Sequence, residues 1–277
     1  MNKPKPTYWL LMFLSINLIS CDFEKPISNS HSSIRLVTLS PHLAELVYSA
    51  GAIDYLTGVV SFSDFPNQIK SIEQIGDAFK IDYEKILILN PTHILTWKDG
   101  TPVSVINKLK ALNFNIIETE INKLADIPKT IKIISEITNT QDYAEKNISL
   151  FNKTIKNLKQ SKYTNNSLFI ETYHQPIYTV SGNHWMSEAV EICGYENVFN
   201  DLSQLSAPVT LEAVITKNPQ TILTIADKED LQWLAWKKLD AVINKQIITI
   251  HPDYFSRPSM RLLNGITQLC SSNELNS

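Results

Sequence analysis

Glycine and cysteine are scarce in this chain, and motifs typical of catalysis or nucleotide binding are absent. The 277 residues include seven glycines and three cysteines. No stretch matches G-x-x-x-x-G-K-[ST], so we expect no phosphate-binding loop and no ATPase activity of its own. No H-E-x-x-H, G-x-S-x-G or C-x-x-C spacing occurs, and we therefore expect neither an enzyme nor a metal site. A formal net charge of −3 with mixed signs predicts no nucleic-acid partner.

The chain also lacks an apolar run of the roughly 20 residues that a membrane-spanning helix needs. It begins instead with Lys3, Lys5 and a shorter apolar run at 8–19. This pattern predicts a secretion signal over residues 1–20. The signal ends in Leu-Ile-Ser-Cys, which resembles a bacterial lipobox whose cysteine, here Cys21, becomes the lipidated N-terminus. The alternative is an ordinary signal peptide in which Cys21 has no special role.

The segment after the signal is polar and rich in serine and asparagine. We interpret residues 21–33 as a flexible tether, which two or more acyl chains on Cys21 would hold stably at a membrane. Asp22 resembles the residue that retains lipoproteins in the inner membrane of enteric bacteria. The expected location is therefore the periplasm, with a lipid anchor in the inner membrane.

Lipidation of Cys21 would leave an even pair of cysteines, Cys193 and Cys270. In an oxidising compartment such a pair predicts a disulfide that ties the last helix to the second half of the chain. Two separate buried thiols are the alternative.

Two stretches of the chain repeat each other. Residues 84–95 read EKILILNPTHIL and residues 212–223 read EAVITKNPQTIL. Each has a glutamate, an apolar run, an Asn-Pro and a closing Ile-Leu, which predicts a helix, a stop and a buried strand. A unit that recurs once, half a chain later, indicates two lobes of similar design, and two lobes form a cleft that can hold a small ligand.

Between the repeats, residues 129–175 contain neither glycine nor proline. Apolar residues there recur at helical spacing, which predicts a long amphipathic helix. We expect an α/β fold of two Rossmann-like lobes, each with a parallel sheet, joined by this single backbone helix. The expected bounds are 34–140 for the N-terminal lobe, 141–165 for the helix and 166–277 for the C-terminal lobe. A helix is also predicted over residues 231–243.

Six stretches resemble one family in order along the chain. They are RLVTLSP (35–41), SFSDFP (61–66), IEQIGD (72–77), YEKILILNP (83–91), VEICGYENVF (190–199) and DYFSRPSMRLLNGITQLC (253–270). The chain resembles the class III periplasmic substrate-binding proteins, and within them the members that capture cobalamin for an ABC importer. The resemblance implies transport of cobalamin or a related corrinoid, with the permease and its ATPase as partners. We expect a monomer without cofactor.

Aromatic residues near strand ends are the candidate cleft walls, because a planar macrocycle needs flat apolar surfaces. Asp253 and Arg257 could hydrogen-bond ligand amides or carboxylates, although a solvated loop pair is the alternative. For each aromatic residue the alternative is a place in a lobe core. The candidate aromatic residues are Phe62, Phe65, Trp97, Tyr178, Trp185 and Tyr254.

The repeated glutamates, Glu84 and Glu212, stand two residues after a plausible N-cap, Asp82 or Thr210. From the residues alone, each complements a helix dipole, a contribution of about 0.3–1 kcal/mol. The family resemblance instead implies that each lobe offers one glutamate to arginines of the permease.

The chain departs from the cobalamin-binding pattern at four positions. Ala78 and Ser206 stand where tryptophans are expected, and Phe62 and Phe65 replace tyrosines. These changes keep haem or a ferric siderophore open as ligands. Haem iron would take a histidine or tyrosine ligand. Candidates for that ligand are Tyr173, His174 and His184.

Overall fold

The computed structural model describes residues 34–77, 80–160, 165–228 and 232–274, together with residues 1 and 3. The predicted tether and Cys21 lie outside this part of the chain, as does almost all of the predicted signal. In the part that is described, every helix is too short or too polar to cross a membrane.

The N-terminal lobe alternates strands and helices, as predicted. Its sheet has the order β3-β2-β1-β4-β5, and all four strand pairs are parallel. Apolar residues are buried on both sheet faces, which parallel sheets require. The bounds are β1 Leu36–Thr38, α1 Pro41–Ser49, β2 Leu56–Val59, β3 Glu73–Gln74, α2 Tyr83–Leu89, β4 His93–Trp97, α3 Val103–Ala111, β5 Ile116–Thr119 and α4 Asp126–Thr138, with 3-10 turns at Ile53–Tyr55 and Asn67–Ser71.

The C-terminal lobe repeats the plan around a second parallel sheet of order β11-β10-β6-β8. An antiparallel ribbon, β7 with β9, is added beside it. The bounds are β6 Asn166–Glu171, β7 Tyr178–Val180, α6 Trp185–Ile192, β8 Tyr195–Asn197, β9 Ser206–Pro208, α7 Leu211–Lys217, β10 Thr221–Ile225, α8 Asp240–Ile243, β11 Ile247–Ile250, α9 Pro252–Phe255 and α10 Leu262–Glu274, with a 3-10 turn at Gln232–Ala235.

One helix, α5 (Gln141–Gln160), joins the two lobes. It packs on α4 of the first lobe and on α6 and α10 of the second. Ala144 and Phe151 are each 1% exposed, and the same stripe continues through Ile148 and Ile155. The predicted fold of two parallel α/β lobes with a connecting helix is confirmed.

The two repeats fold alike. Asp82 and Thr210 cap α2 and α7 through their side chains, at 3.0 and 3.2 Å from the backbone nitrogens three residues on. Asn90 and Asn218 end these helices in the left-handed conformation, with φ of 44° and 42°. Asparagine tolerates this conformation better than most residues. Each helix therefore ends at the asparagine, one residue before the proline.

The predicted helix over 231–243 is wrong. Within the described residues of this stretch, a 3-10 turn and the short α8 replace it. Trp233 and Leu239 are both buried in the same cluster beside Phe169. Six residues of continuous α-helix would place them about 120° apart around the axis, and the break in the helix lets both side chains enter the same cluster.

Cys193, which follows α6, forms a disulfide with Cys270 of α10, with Cα atoms 4.6 Å apart. Both residues are buried. The bond therefore links two neighbouring helices of the second lobe in their packed positions.

Candidate functional site

The candidate site lies at the loops that follow the carboxyl ends of the strands, where ligands bind in open α/β sheets. The loop after β2 and the segment after β11 meet there. Arg257 Nη1 donates to Asp64 Oδ1 at 2.8 Å, and its Nη2 donates to the backbone oxygen of Phe62 at 3.1 Å. The two lobes therefore touch through charged and polar groups at these strand ends.

Glu45 is the buried centre of this contact. It lies on α1 of the first lobe, is 2% exposed, and accepts hydrogen bonds from three residues of the second lobe. Ser259 Oγ is 2.6 Å from Oε2, and the Nη1 atoms of Arg257 and Arg261 are 3.0 and 3.4 Å from Oε1. A buried carboxylate requires such partners, so Glu45 fixes both arginines in place.

Burial and charge act against each other in this cluster. Burial raises the pKa of Glu45, and the bonds from Ser259 and Arg257 only partly offset it. Burial lowers the pKa of Arg257, but its bonds to Asp64 and Glu45 outweigh this and leave the pKa raised. Because arginine stays charged in either case, the cluster keeps a positive group at the cleft.

Asp253 lies in the same cluster and pairs with both arginines. Its Oδ2 is 2.8 Å from Arg261 Nη2, and its Oδ1 is 3.3 Å from Arg257 Nη2. Burial alone raises the pKa of Asp253, but the hydrogen bond from Arg261 and the charge of Arg257 outweigh it, so the net shift is downward. Asp253 is therefore an acceptor at neutral pH.

Aromatic rings from both lobes pack on Arg261. The guanidinium carbon of Arg261 is 4.5 Å from the Phe65 ring centre and 5.3 Å from that of Tyr254. Phe62 is 77% exposed and has a φ of 66°, which is uncommon for a bulky residue. An exposed phenylalanine in this conformation is a functional-site candidate. Phe65 and Tyr254 are therefore brought together at Arg261, and Phe62 lies in the same loop as Phe65.

Trp97 lies at the end of β4 and is half-buried. The His42 ring meets the Trp97 ring edge to face at 5.1 Å, and Trp97 Nε1 has no hydrogen-bond partner among the described residues. The backbone packs tightly on the ring: a Cβ added at Gly100 would lie 2.1 Å from Trp97 Cε3. Gly100 therefore sets the position of the indole.

The structure places the last two aromatic candidates differently. Tyr178 is half-buried in β7, where it pairs with Pro208 of β9. Trp185 is only 2% exposed and packs 6.3 Å from Phe255 within the core. A side chain so enclosed offers no wall to a ligand in this conformation.

Glu84 and Glu212 are exposed in the first turns of α2 and α7. Within the described part of the chain, neither carboxylate makes a hydrogen bond or an ion pair. Each lobe thus presents one free acidic side chain at an equivalent position of the repeat.

Sequence reasoning missed Glu45 and Arg261. One signal existed: Glu45 is an acidic residue within the otherwise apolar Leu43–Val47, on a helix that the lobe core surrounds. An acidic residue in a buried stretch demands a cationic partner, but the sequence does not say which of the chain's cations provides it.

A model of the periplasmic binding protein family matches residues 36–254. The chain belongs to this family. Proteins of the family deliver ligands to ABC transporter permeases. Its relatives are substrate-binding proteins rather than enzymes, in agreement with the expectation from the sequence.

Individual relatives cover nearly the whole chain. A protein of Vibrio cholerae named vitamin B12-binding protein is 31% identical over 93% of this chain and 97% of its own. One of the same name from Pectobacterium carotovorum is 30% identical over 86% and 87%.

Solved structures of binding proteins have the same fold as this chain. The crystal structure of the periplasmic vitamin B12 binding protein of Vibrio cholerae matches with a TM-score of 0.81 and 30% identity, covering 87% of this chain and 96% of that one. The periplasmic heme binding protein of the same species matches with a TM-score of 0.74 at 18% identity, over 87% and 98%, which shows a shared fold alone.

Proposed function

We propose that the chain is the substrate-binding lipoprotein of an ABC importer, which captures cobalamin or a related corrinoid and delivers it to the permease and its ATPase. The observation that carries the proposal is the 31% identity over 93% of this chain to a vitamin B12-binding protein. The aromatic rings that both lobes contribute beside Arg261 support it, because a planar macrocycle needs flat apolar walls.

The proposed ligand contacts are of two kinds: aromatic side chains that cover the macrocycle, and charged side chains that bind its amide groups. Phe62, Phe65 and Tyr254 would cover the macrocycle at the mouth, with Trp97 and Tyr178 as further walls. Asp253 and Arg257 would bind its amide side chains. The side chains of Asp253 and Arg257 are 26% and 17% exposed, so part of each remains open to a ligand while Glu45 holds the arginine.

The acidic residues of the repeat support docking. Because Glu84 and Glu212 occupy equivalent positions on two similar lobes, a permease with two-fold symmetry could engage both, and charge pairs of this kind set register and encounter rate. We expect Glu84→Ala plus Glu212→Ala to lower ligand-driven ATP turnover by the reconstituted importer while ligand affinity stays unchanged. Each single change should cost less than the pair.

The control for this experiment is Glu145→Ala, an exposed glutamate on α5. It should leave turnover unchanged. Unchanged turnover in the double variant would leave the two glutamates with only a helix-dipole role, and lost ligand affinity would place them in the cleft.

Anchoring through Cys21 completes the proposal. A lipidated Cys21 would hold the chain, as a monomer, in the periplasm at the inner membrane, with residues 21–33 as tether. The Cys21→Ser variant should be released into the soluble periplasmic fraction. Retention of this variant in membranes would rule out the anchor.

Haem and a ferric siderophore remain the second candidate class, favoured by one observation. The rings of Phe62 and Phe65 lack the phenolic hydroxyls of tyrosine, and β9 carries Ser206, so the cleft offers fewer stacking and hydrogen-bonding groups than the cobalamin-binding pattern has. Such a pocket fits a porphyrin or an iron chelate as well as a corrinoid.

Visible-absorption titration of the purified mature chain separates the candidates. We expect saturable, one-to-one binding of cyanocobalamin and weaker or no binding of haemin and a ferric siderophore. Preference for either iron compound would replace the corrinoid in the proposal, and binding of none would refute it.

A further inference from the structure

Two exposed apolar side chains lie beside the repeated glutamate of the first lobe. On α2, Leu87 is 52% exposed and Ile88 is 82% exposed. Apart from Met1, Ile88 is the most exposed large apolar side chain in the described part of the chain. Residues three and four positions apart share one face of a helix, so both side chains lie on the face that carries Glu84. Contiguous exposed apolar surface of this kind is typical of an interaction site.

The repeat places an apolar side chain at the same point of the second lobe. Ile215 of α7 follows Glu212 by three residues, as Leu87 follows Glu84, and it is half-buried. A cavity of about 590 Å³ adjoins Ile215, and Trp236, which is 40% exposed, lines the same cavity. The two lobes therefore share a free glutamate and, one helical turn later, an accessible apolar side chain.

The charges around these side chains indicate which kind of partner can cover them. Lys85, the cation next to the glutamate in sequence, forms an ion pair with Glu73 and donates to the backbone oxygen of Gln74 at 3.0 Å. Glu84 therefore dominates the charge of the patch. An anionic lipid surface would be repelled by it, and a second copy related by a two-fold axis would bring Glu84 towards itself. A protein surface with a cation beside an apolar pocket matches both groups.

We propose that the permease binds each lobe through an apolar contact as well as through the glutamate. On the first lobe, Leu87 and Ile88 enter an apolar pocket beside the cation that pairs with Glu84. On the second lobe, Ile215 enters the equivalent pocket beside the cation that pairs with Glu212. This rests on the proposed function and deepens it. A permease with two-fold symmetry presents one surface twice, so the features that both lobes share are the ones that it can bind in the same way.

The division of labour follows from the anatomy of protein interfaces. Such interfaces have an apolar centre and a polar rim. Charges at the rim mainly raise the rate of encounter, whereas buried contacts slow dissociation. The glutamates would therefore guide the lobes to the permease, and the apolar side chains would hold them there.

Capture of the cyanocobalamin-loaded mature chain by the importer in lipid nanodiscs measures this contact. We expect Leu87→Ala plus Ile88→Ala to weaken capture at least about tenfold, because less apolar area is buried in the complex. Cyanocobalamin affinity and the unfolding midpoint should stay unchanged, since both side chains are exposed. The matched control is Leu150→Ala plus Ile133→Ala, which removes a leucine and an isoleucine that are 53% and 43% exposed on α5 and α4. It should be captured as wild type.

Salt separates the apolar contact from the charge pairs. Raising the ionic strength should shrink the loss caused by Glu84→Ala, because salt screens the charge pair that this change removes. The loss caused by Leu87→Ala plus Ile88→Ala should persist, because salt does not weaken apolar burial. A loss that salt abolishes in both variants would overturn the apolar contact.

Thr216 allows a test in the opposite direction. It occupies in α7 the place of Ile88 in α2, it is exposed, and its Oγ1 donates to the backbone oxygen of Glu212 at 2.7 Å. If both halves of the permease offer the same pocket, Thr216→Ile should strengthen capture about threefold or more, because it adds apolar area to the contact. Absence of a gain would overturn the two-fold arrangement and confine the contact to the first lobe.

Failure of the inference and failure of the proposed function give different results. Full capture of the Leu87→Ala plus Ile88→Ala variant, with weaker capture of Glu84→Ala plus Glu212→Ala, would remove the apolar contact and leave docking intact. Wild-type binding to protein-free anionic vesicles that the apolar double variant loses would assign the patch to the membrane. A wild-type dimer that this variant loses would assign it to a second copy. Wild type that binds no cyanocobalamin, or that the importer does not capture, would overturn the proposed function and this inference with it.

Discussion

Glu45 is the residue on which the charged contact between the lobes depends, and its removal should be costly. Glu45→Ala deprives Arg257, Arg261 and Ser259 of their shared acceptor. Breaking a buried pair from one side typically costs about 3–5 kcal/mol, because a charge is left uncompensated. Here Asp253 still binds both arginines and relieves part of that charge. We therefore expect the free energy of unfolding to fall by about 3 kcal/mol.

Chemical denaturation at neutral pH measures this loss. The matched control is Glu120→Ala, which removes an exposed pair with Lys98 at 2.9 Å and should cost far less, because solvent screens an exposed ion pair. A loss for Glu45→Ala no larger than the control's would refute the view that this cluster stabilises the lobe contact. A double-mutant cycle with Arg257→Ala should show that the two losses are not additive.

Three further predictions concern the surrounding structure. Replacing Cys193 and Cys270 with alanine should lower the free energy of unfolding by about 2–5 kcal/mol, and thiol titration of the unfolded, unreduced mature chain should find no free thiol at either position. Gly100→Ala should displace the Trp97 indole and be detected as changed fluorescence and weaker ligand affinity, since the new Cβ lies 2.1 Å from the ring. Burial lowers the pKa of His42 to about 3, so only the unfolded chain takes up a proton as the pH falls through its usual value of 6.5. Stability should decrease by about 2 kcal/mol between about pH 7 and about pH 5, a slope that His42→Asn removes.

Short-range signals made the frame of the fold predictable. The N-caps Asp82 and Thr210 and the Asn-Pro pairs lie within one repeat, so each helix and the strand after it could be predicted locally. The connecting helix was predicted for the same reason, because its apolar stripe is continuous in sequence. The helix over 231–243 failed because the shared burial of Trp233 and Leu239 is a tertiary requirement that overrides local preference.

The site was less accessible to sequence reasoning. Exposed loop aromatics such as Phe62 could be chosen from their position after a strand. The partnership of Glu45 with Arg257 joins residues 212 positions apart, and no local pattern encodes which two loops meet. Trp185 shows a second limit of sequence reasoning. Its position after a turn suggests exposure, but nothing near it in the sequence indicates that the core buries it.

The most direct test of the central claim is the affinity of the cleft for cyanocobalamin, measured by calorimetry on the mature chain. We predict one-to-one binding by wild type, and a loss of at least about tenfold for Phe65→Ala combined with Tyr254→Ala, since each removed aromatic wall contributes about 0.5–1.5 kcal/mol beyond its buried area. Leu150→Ala, an exposed apolar residue of α5, should bind as wild type. No binding by wild type, or full affinity in the double variant, would contradict a corrinoid held between the lobes.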